Sequence, residues 1–235
     1  RAVYAIDITE GSLDNAGKPQ WNLRTLWEFR DENMGRTHSK PTLIRIKNNL
    51  DQEQYLAVFA SGPRNGLDVG DTIYAVDLAS GALVWKFDIG DTNAYVSTSV
   101  MAAETDDEPN TAIDGFIDRL FFADNKGRLW KLDPSNWSSG TVQAIESTVY
   151  VGLPHNALFS TKETPSALGA QRGIAGTIAA AEDATGRLTL FFGTGGTEET
   201  SNEVQNEFYA VYADNGSIRN KLGSGTLPVG AKFYG

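Results

Sequence analysis

The chain has no cysteine, which removes disulfides, Cys-ligated zinc, iron–sulfur clusters and thiol nucleophiles together. That absence does not fix a compartment, because many exported bacterial proteins also lack cysteine. Histidine is nearly absent: His38 and His155 are the only two, and no G-x-S-x-G nucleophile elbow accompanies them, so a hydrolytic triad has little to be built from. Both read as polar loop or packed residues. Basic residues are outnumbered, 20 against 30 acidic for a net charge of −10, and no window clusters Lys and Arg. This is the wrong sign for gripping a phosphate backbone, and nucleic acid is set aside as a partner.

Long hydrophobic runs are missing too. Stretches such as Leu188-Thr-Leu-Phe-Phe192 are strand-sized, far short of the roughly 20 residues a spanning helix needs, so no transmembrane segment is expected. Helix-period patterning is weak throughout. Residue 1 is Arg and a strand-like Ala-Val-Tyr-Ala-Ile follows at once; no signal peptide is visible, and we expect the chain to be cut from a longer precursor. Gly193-Thr-Gly-Gly196 lacks the following Lys-Ser/Thr of a phosphate loop and reads as a strand end turning into an acidic loop. Asn136-Trp-Ser138 and Asn215-Gly-Ser217 have the form of glycosylation sequons, a triplet common by chance.

What is present is a repeated phrase. Val3-Tyr-Ala-Ile-Asp7, Ile73-Tyr-Ala-Val-Asp77, Leu129-Trp-Lys-Leu-Asp133 and Phe208-Tyr-Ala-Val-Tyr212 share an aromatic in second place, and each has the composition of a short strand. After the second copy, Leu78-Ala-Ser-Gly81 leads into Ala82-Leu-Val-Trp-Lys-Phe87, so Asp77 starts a tight hairpin with Gly81 at a positive φ. The first copy has a similar return strand, Leu26-Trp-Glu-Phe29, after a longer connection.

Upstream of three copies lie further strand pairs: Pro41–Ile46 with Tyr55–Gly62, Ser97–Ala103 with Arg119–Ala123, and Gly176–Ala181 with Leu188–Gly195. Each unit therefore supplies about four strands. The phrase aromatics Tyr4, Tyr74, Trp130 and Tyr209 are 70, 56 and 79 residues apart, long for a bare four-stranded blade but fitting one with loop insertions. The expected fold is all-β, a β-propeller forming one domain over residues 1–235. About four blades would span residues 1–34, 35–92, 93–150 and 151–222. A propeller usually closes with about 4 to 8 blades, so strands or blades are expected from elsewhere to pair the open edges. Loop insertions are expected at Gly62–Gly70, Glu104–Ala112, Ser135–Lys162 and Thr197–Asn206. A β-sandwich is the rival, disfavoured because the phrase recurs once per unit rather than once per strand. Trp27, Trp85 and Trp130 are expected to pack one blade on the next rather than to stack a cofactor or sugar.

The stretch Tyr74–Phe87 is similar to the repeat of quinoprotein-like propellers. Residues 35 to 212 resemble the C-terminal propeller of the PilY/PilC family of type IV pilus tip-associated proteins. The matching stations are Ser39-Lys-Pro41, Phe59-Ala-Ser-Gly62, the Tyr74 hairpin, Asp114-Gly-Phe-Ile-Asp118 running into Asp124–Asp133, Phe191-Phe-Gly-Thr-Gly195 and Phe208–Tyr212. The chain departs from the family at His38, often tryptophan, at Arg172-Gly173, where a proline is usual, and at Asn110 and Ala112, the first two acidic positions of an aspartate-rich loop. The family's large N-terminal adhesive region has no counterpart within residues 1–235. The resemblance implies a non-enzymatic surface or periplasmic module at the pilus tip or outer membrane, supporting pilus biogenesis, calcium-dependent control of retraction, adhesion and twitching. Minor pilins or tip components, and host or surface ligands, are the implied partners.

On chemistry alone, a hard cation needs several oxygens at about 2.3 to 2.6 Å, with a glycine for the bend and a closing carboxylate. Aligned to a D-x-D-x-D-G-x-x-D loop, the chain offers Asn110, nothing at Ala112, Asp114, the Phe116 carbonyl and Asp118, while Asp106, Asp107 or Glu108 would supply the missing ligand. A solvated acidic loop with an ordinary Asp114-Gly115 turn accounts for the same residues. Two other functions stay open: a pyrroloquinoline-quinone-type dehydrogenase propeller, which shares the blade phrase but often adds a vicinal cysteine pair, and a scaffold propeller of outer-membrane assembly.

Overall fold

The computed structural model describes residues 1–222 except 10, 38, 64–69, 92, 106–113, 151, 152, 154, 155, 162–171, 184 and 196–205. Their regular structure is all β, and none of them forms a helix long and apolar enough to cross a membrane. Strand β1 (Val3–Asp7) is followed by a small ribbon of β2 (Gly11–Leu13) and β3 (Pro19–Trp21), then by β4 (Arg24–Phe29), which pairs antiparallel with β1. A four-stranded antiparallel meander comes next: β5 (Thr42–Lys47), β6 (Glu53–Ala60), β7 (Thr72–Asp77) and β8 (Leu83–Asp88). The third unit is β9 (Met101–Ala103), β10 (Arg119–Ala123), β11 (Arg128–Ser138) and β12 (Thr141–Ala144), with β13 (Phe159–Ser160) on the start of β11. The fourth is β14 (Ala179–Glu182), β15 (Leu188–Gly193), β16 (Phe208–Tyr212) and β17 (Ile218–Leu222). These are the blades of the expected propeller: three of four strands, preceded by a β1/β4 hairpin. One parallel pair, Thr141 with Lys86, joins the outer strands of the second and third.

The repeat is exact enough to be seen in hydrogen-bond register. In the first, second and fourth units the phrase strand pairs with its return strand through a bulge at the same place, between Ala5 and Ile6, Ala75 and Val76, and Ala210 and Val211. Ala5 faces Trp27 as Ala75 faces Trp85. On the other side, each complete blade sets a phenylalanine against the phrase aromatic: Phe59 on Tyr74, Phe122 on Trp130, Phe192 on Tyr209.

These aromatics form the seams between blades. Trp27 and Phe29 pack on Phe59, Tyr74 and Val76 in one cluster, with the Phe29 and Tyr74 rings 5.1 Å apart. Trp85, Phe87, Phe122 and Trp130 fill the next, and Phe159, Phe192 and Tyr209 a third. Fully burying one such side chain stabilises by about 1.5 to 3 kcal/mol. The three tryptophans therefore serve packing. Trp27 also donates Nε1–H to the Leu78 carbonyl at 2.9 Å, closing the first seam with a hydrogen bond.

The Asp77 hairpin shows why glycine is required at 81. Its φ is +72°, its N–H donates to the Asp77 carbonyl at 2.8 Å, and an added Cβ would lie 2.6 Å from Trp27 Cδ2. Gly186 has a similar φ of +78° with nothing within 4 Å of a built Cβ. Gly186→Ala should therefore cost only the backbone strain, about 1 to 3 kcal/mol, while Gly81→Ala should cost more by displacing the indole. Urea midpoints of the two variants check this, and equal losses would contradict it.

Two strand expectations are corrected. The candidate strand Ser97–Ala103 is regular only from Met101; its first part makes a single bridge instead, Thr98 to Gly176, and Val96 just before it bridges to Asp124. Innermost strands of neighbouring blades converge there, so each residue meets a different partner. The expected insertion Ser135–Lys162 holds the end of β11, all of β12 and β13. Ser139 and Gly140, with φ of +51° and +73°, form the turn that returns the chain as β12, the geometry of a two-residue hairpin.

Candidate functional site

The third blade presents an acidic rim. β9 and β10 pair with Ala103 opposite Arg119, so one more step along the ladder sets Glu104 beside Asp118. The two sides are laced by backbone donors: Thr105 N–H to Asp118 Oδ2 at 2.8 Å, and Gly115 N–H to Glu104 Oε1 at 2.7 Å. Within the turn, Phe116 N–H donates to Asp114 Oδ1 at 3.0 Å, and Gly115 takes a φ of +83°. Partial burial pushes the Asp118 carboxyl above its ordinary value; the Thr105 N–H and Arg119 pull it down, and the Asp114 and Glu104 charges add to the rise.

This loop is also a strap across a blade seam. Asp118 N–H donates to the Ala103 carbonyl of its own blade at 3.2 Å, and Ile117 N–H to the Arg45 carbonyl of the second blade at 2.8 Å. The Arg45 guanidinium lies 4.2 Å from the centroid of the Phe116 ring, and Lys47 Nζ 5.2 Å from it. Arg45 is held in turn by Glu53, whose carboxyl Arg45 and then Tyr55 lower to about 2. Two protein cations thus flank the acidic turn and fix its one aromatic.

Nearer the axis, the inner ends of the blades surround a cleft of about 660 Å³ lined by Ser39, Tyr95, Ser97, Thr98, Ser99 and Thr177 together with small residues. No Lys, Arg, Asp or Glu is among its described lining residues. Thr98 Oγ1 accepts from the Ala123 N–H of its own blade at 2.9 Å, and Ser99 Oγ accepts from the Lys40 N–H at 3.1 Å, which ties the third blade to the second. Gly195 closes the cleft at a φ of +108°, donating to the Gly173 carbonyl at 2.9 Å.

No protein-family model matches the chain. A curated protein of Xylella fastidiosa (strain Temecula1), the type IV pilus biogenesis factor PilY1 homolog, is 23% identical over 205 residues, 83% of this chain. The crystal structure of the Pseudomonas aeruginosa PilY1 C-terminal domain superposes over 91% of the chain with a TM-score of 0.60 at 19% identity. The chain has a PilY1-type C-terminal domain fold. It spans 13% of the length of the curated relative and 43% of the solved PilY1 chain.

Of the residues read from sequence as ligands, Asp114, Phe116 and Asp118 lie together on the strap. Asn110, Asp106 and Asp107, with Glu108 and Ala112, lie outside the described residues, as do His38 and His155. Among the described residues no three His, Cys, Asp or Glu side chains are grouped closely enough to hold a metal. Glu104 and Arg45 are the additions. Glu104 was legible only as a loop boundary, and the signal for it is the β9/β10 register. Nothing local marks Arg45, which reaches the loop from another blade. At the family departure Arg172-Gly173, Arg172 pairs with Glu207, and an added Cβ on Gly173 would lie 2.8 Å from the Asn125 carbonyl oxygen.

Proposed function

We propose that the chain is a non-enzymatic module of a type IV pilus tip or assembly protein, exported to the cell surface, pilus tip or outer-membrane and periplasmic space. The reading rests on the similarity to PilY1 proteins, by sequence over 83% and by fold over 91% of the chain. It acts by binding minor pilins or other tip components, and host or surface ligands in adhesion. The neutral lining of the axial cleft favours it over a quinone dehydrogenase, whose acidic cofactor would meet hydroxyls and backbone there but no described basic side chain. Pull-down with minor pilins against outer-membrane assembly proteins tests the reading. Selective capture of the assembly proteins would replace it with a scaffold role.

Within that reading, calcium binds the acidic rim and governs retraction. Glu104, Asp114 and Asp118 supply hard oxygens, with the Phe116 carbonyl and Asn110, Asp106 or Asp107 as further candidates. Each of the three carboxylates already accepts one backbone N–H, and a carboxylate has a second oxygen for a cation. The fit is partial, because these described carboxylates are not grouped closely enough to hold the ion by themselves. When bound, the ion neutralises charge at the strap and stiffens the seam between the second and third blades. Terbium luminescence and calorimetry should show binding to the wild type, and a loss of about tenfold or more for Asp114→Ala/Asp118→Ala. Indistinguishable titrations would sink the site. Chelation should open protease sites near residues 104–110 without melting the blades; global unfolding would contradict a local role.

A further inference from the structure

The described lining of the axial cleft comes wholly from the three four-stranded blades: Ser39 from the second, Tyr95 and residues 97–99 from the third, Thr177 from the fourth. The junction is pinned where they meet. Thr98 bridges Gly176, and Ser97 Oγ donates to the Ala123 carbonyl at 3.3 Å and to the Ile174 carbonyl. At about 660 Å³ the cleft falls within the roughly 300 to 1,000 Å³ of small-ligand sites.

What the cleft offers a ligand follows from which of its groups are already paired. Its backbone donors are engaged: the Tyr95 N–H on Asn125 Oδ1 at 2.8 Å, Val96 on the Gly70 carbonyl at 2.9 Å, Ser97 on the Ala123 carbonyl at 3.0 Å and Gly195 on the Gly173 carbonyl at 2.9 Å. An extended peptide finds none of these donors open for strand addition. The hydroxyls are not exhausted in this way, since each has one proton to give and two lone pairs. Thr98 and Ser99 each use one lone pair on a backbone N–H, and among the described residues none accepts their protons. Thr177 is exposed, and its hydroxyl has no partner among the described residues. With no Lys, Arg, Asp or Glu among the described lining residues, a phosphate, sulfate or carboxylate would be desolvated there without a compensating charge. An uncharged polyol suits the same groups: its hydroxyls both donate and accept, and the C–H face of a pyranose packs on an aromatic wall. We infer that the axial cleft binds an uncharged saccharide, held by the hydroxyls of Thr98, Ser99 and Thr177 with Tyr95 as the apolar wall. Its biological use rests on the adhesive role proposed above, whereas the binding itself does not, so sugar binding and pilin capture succeed or fail separately.

The test screens the chain against immobilised neutral oligosaccharides ending in glucose, galactose, mannose or N-acetylglucosamine, and against sialylated and sulfated counterparts. The best-retained one is then titrated by calorimetry and by amide NMR. A neutral oligosaccharide should bind, its acidic counterparts should not, and the amide signals of residues 95–99 and 175–177 should shift first. Ser99→Ala should weaken binding about three- to tenfold, the loss of one hydrogen bond. Thr177→Trp, which puts bulk into the cleft from an exposed position, should weaken it about tenfold or more at an unchanged urea midpoint. No retention of any neutral oligosaccharide, equal retention of the acidic ones, amide shifts confined to other parts of the chain, or undiminished binding by Thr177→Trp would each overturn the proposal.

Discussion

Asp124→Ala should destabilise the domain by about 3 to 5 kcal/mol, the cost of breaking a buried ion pair by removing one partner. The Asp124 side chain is completely buried and its two oxygens accept four donors: the N–H groups of Lys126 at 2.9 Å and Arg128 at 3.0 Å, Arg128 Nε at 2.7 Å and Trp130 Nε1 at 3.1 Å. Burial pushes this carboxyl up, and Arg128 holds it against that push. The Arg128 side chain is only 3% exposed, and its NH1 also reaches Asp91 at 2.9 Å. Without Asp124, that guanidinium keeps one partner and the tryptophan N–H loses its acceptor.

A control lies in the same chain. Asp183-Ala-Thr-Gly-Arg187 repeats the pattern of Asp124-Asn-Lys-Gly-Arg128, with Asp183 accepting the N–H groups of Thr185 and Arg187 and Gly186 N–H donating to the Asp183 carbonyl. That turn sits near the surface and its arginine pairs with Asp214 instead. Asp183→Ala should therefore cost far less than Asp124→Ala, although the local sequence is nearly the same. Urea denaturation of both variants decides it; comparable losses would show that turn hydrogen bonds, not the buried charge, carry the effect.

The pair of turns also shows what sequence carries and what it omits. Asp-x-x-Gly-Arg announces a tight turn in both places, because the aspartate caps the backbone and glycine takes the positive φ. It does not announce which turn is roofed by a neighbouring blade. The same holds for the phrase strands: the aromatic at Tyr4 and at Tyr74 reads alike, yet one is half exposed and the other buried, since burial depends on which strands lie alongside. At the rim, Asp114-Gly-Phe-Ile-Asp118 was legible as a bend with carboxylates. Arg45 over Phe116 was not, because a contact across 71 residues is set by the stacking of blades rather than by local pattern. The inner strand of the third blade was read too long for a related reason: three residues of β9 leave too few alternations to mark where Ser97–Ala103 becomes regular.

Trp130→Ala should cost about 3 to 5 kcal/mol on its own, the usual loss for emptying a buried aromatic site. The ring stacks on Phe122 at 6.2 Å and 9°, and meets Phe87 at 5.6 Å, so its removal opens the seam between the second and third blades. Trp130→Phe keeps most of that packing and removes the hydrogen bond to Asp124, leaving three donors on the carboxylate; about 1 kcal/mol is expected. Because Trp130 and Asp124 share that bond, the double variant Asp124→Ala/Trp130→Ala should lose less than the two single losses added, with a coupling of about 0.5 to 3 kcal/mol. Tyr209 provides the contrast. It fills the next seam with Phe159 and Phe192 and has no partner in common with Trp130 in these ring contacts, so Trp130→Ala/Tyr209→Ala should be additive within about 0.5 kcal/mol. Additivity there, with coupling at Asp124, would mean that each blade seam stores its own share of the stability. Strong coupling between Trp130 and Tyr209 would instead show that a loss at one seam is transmitted through β11 to the next.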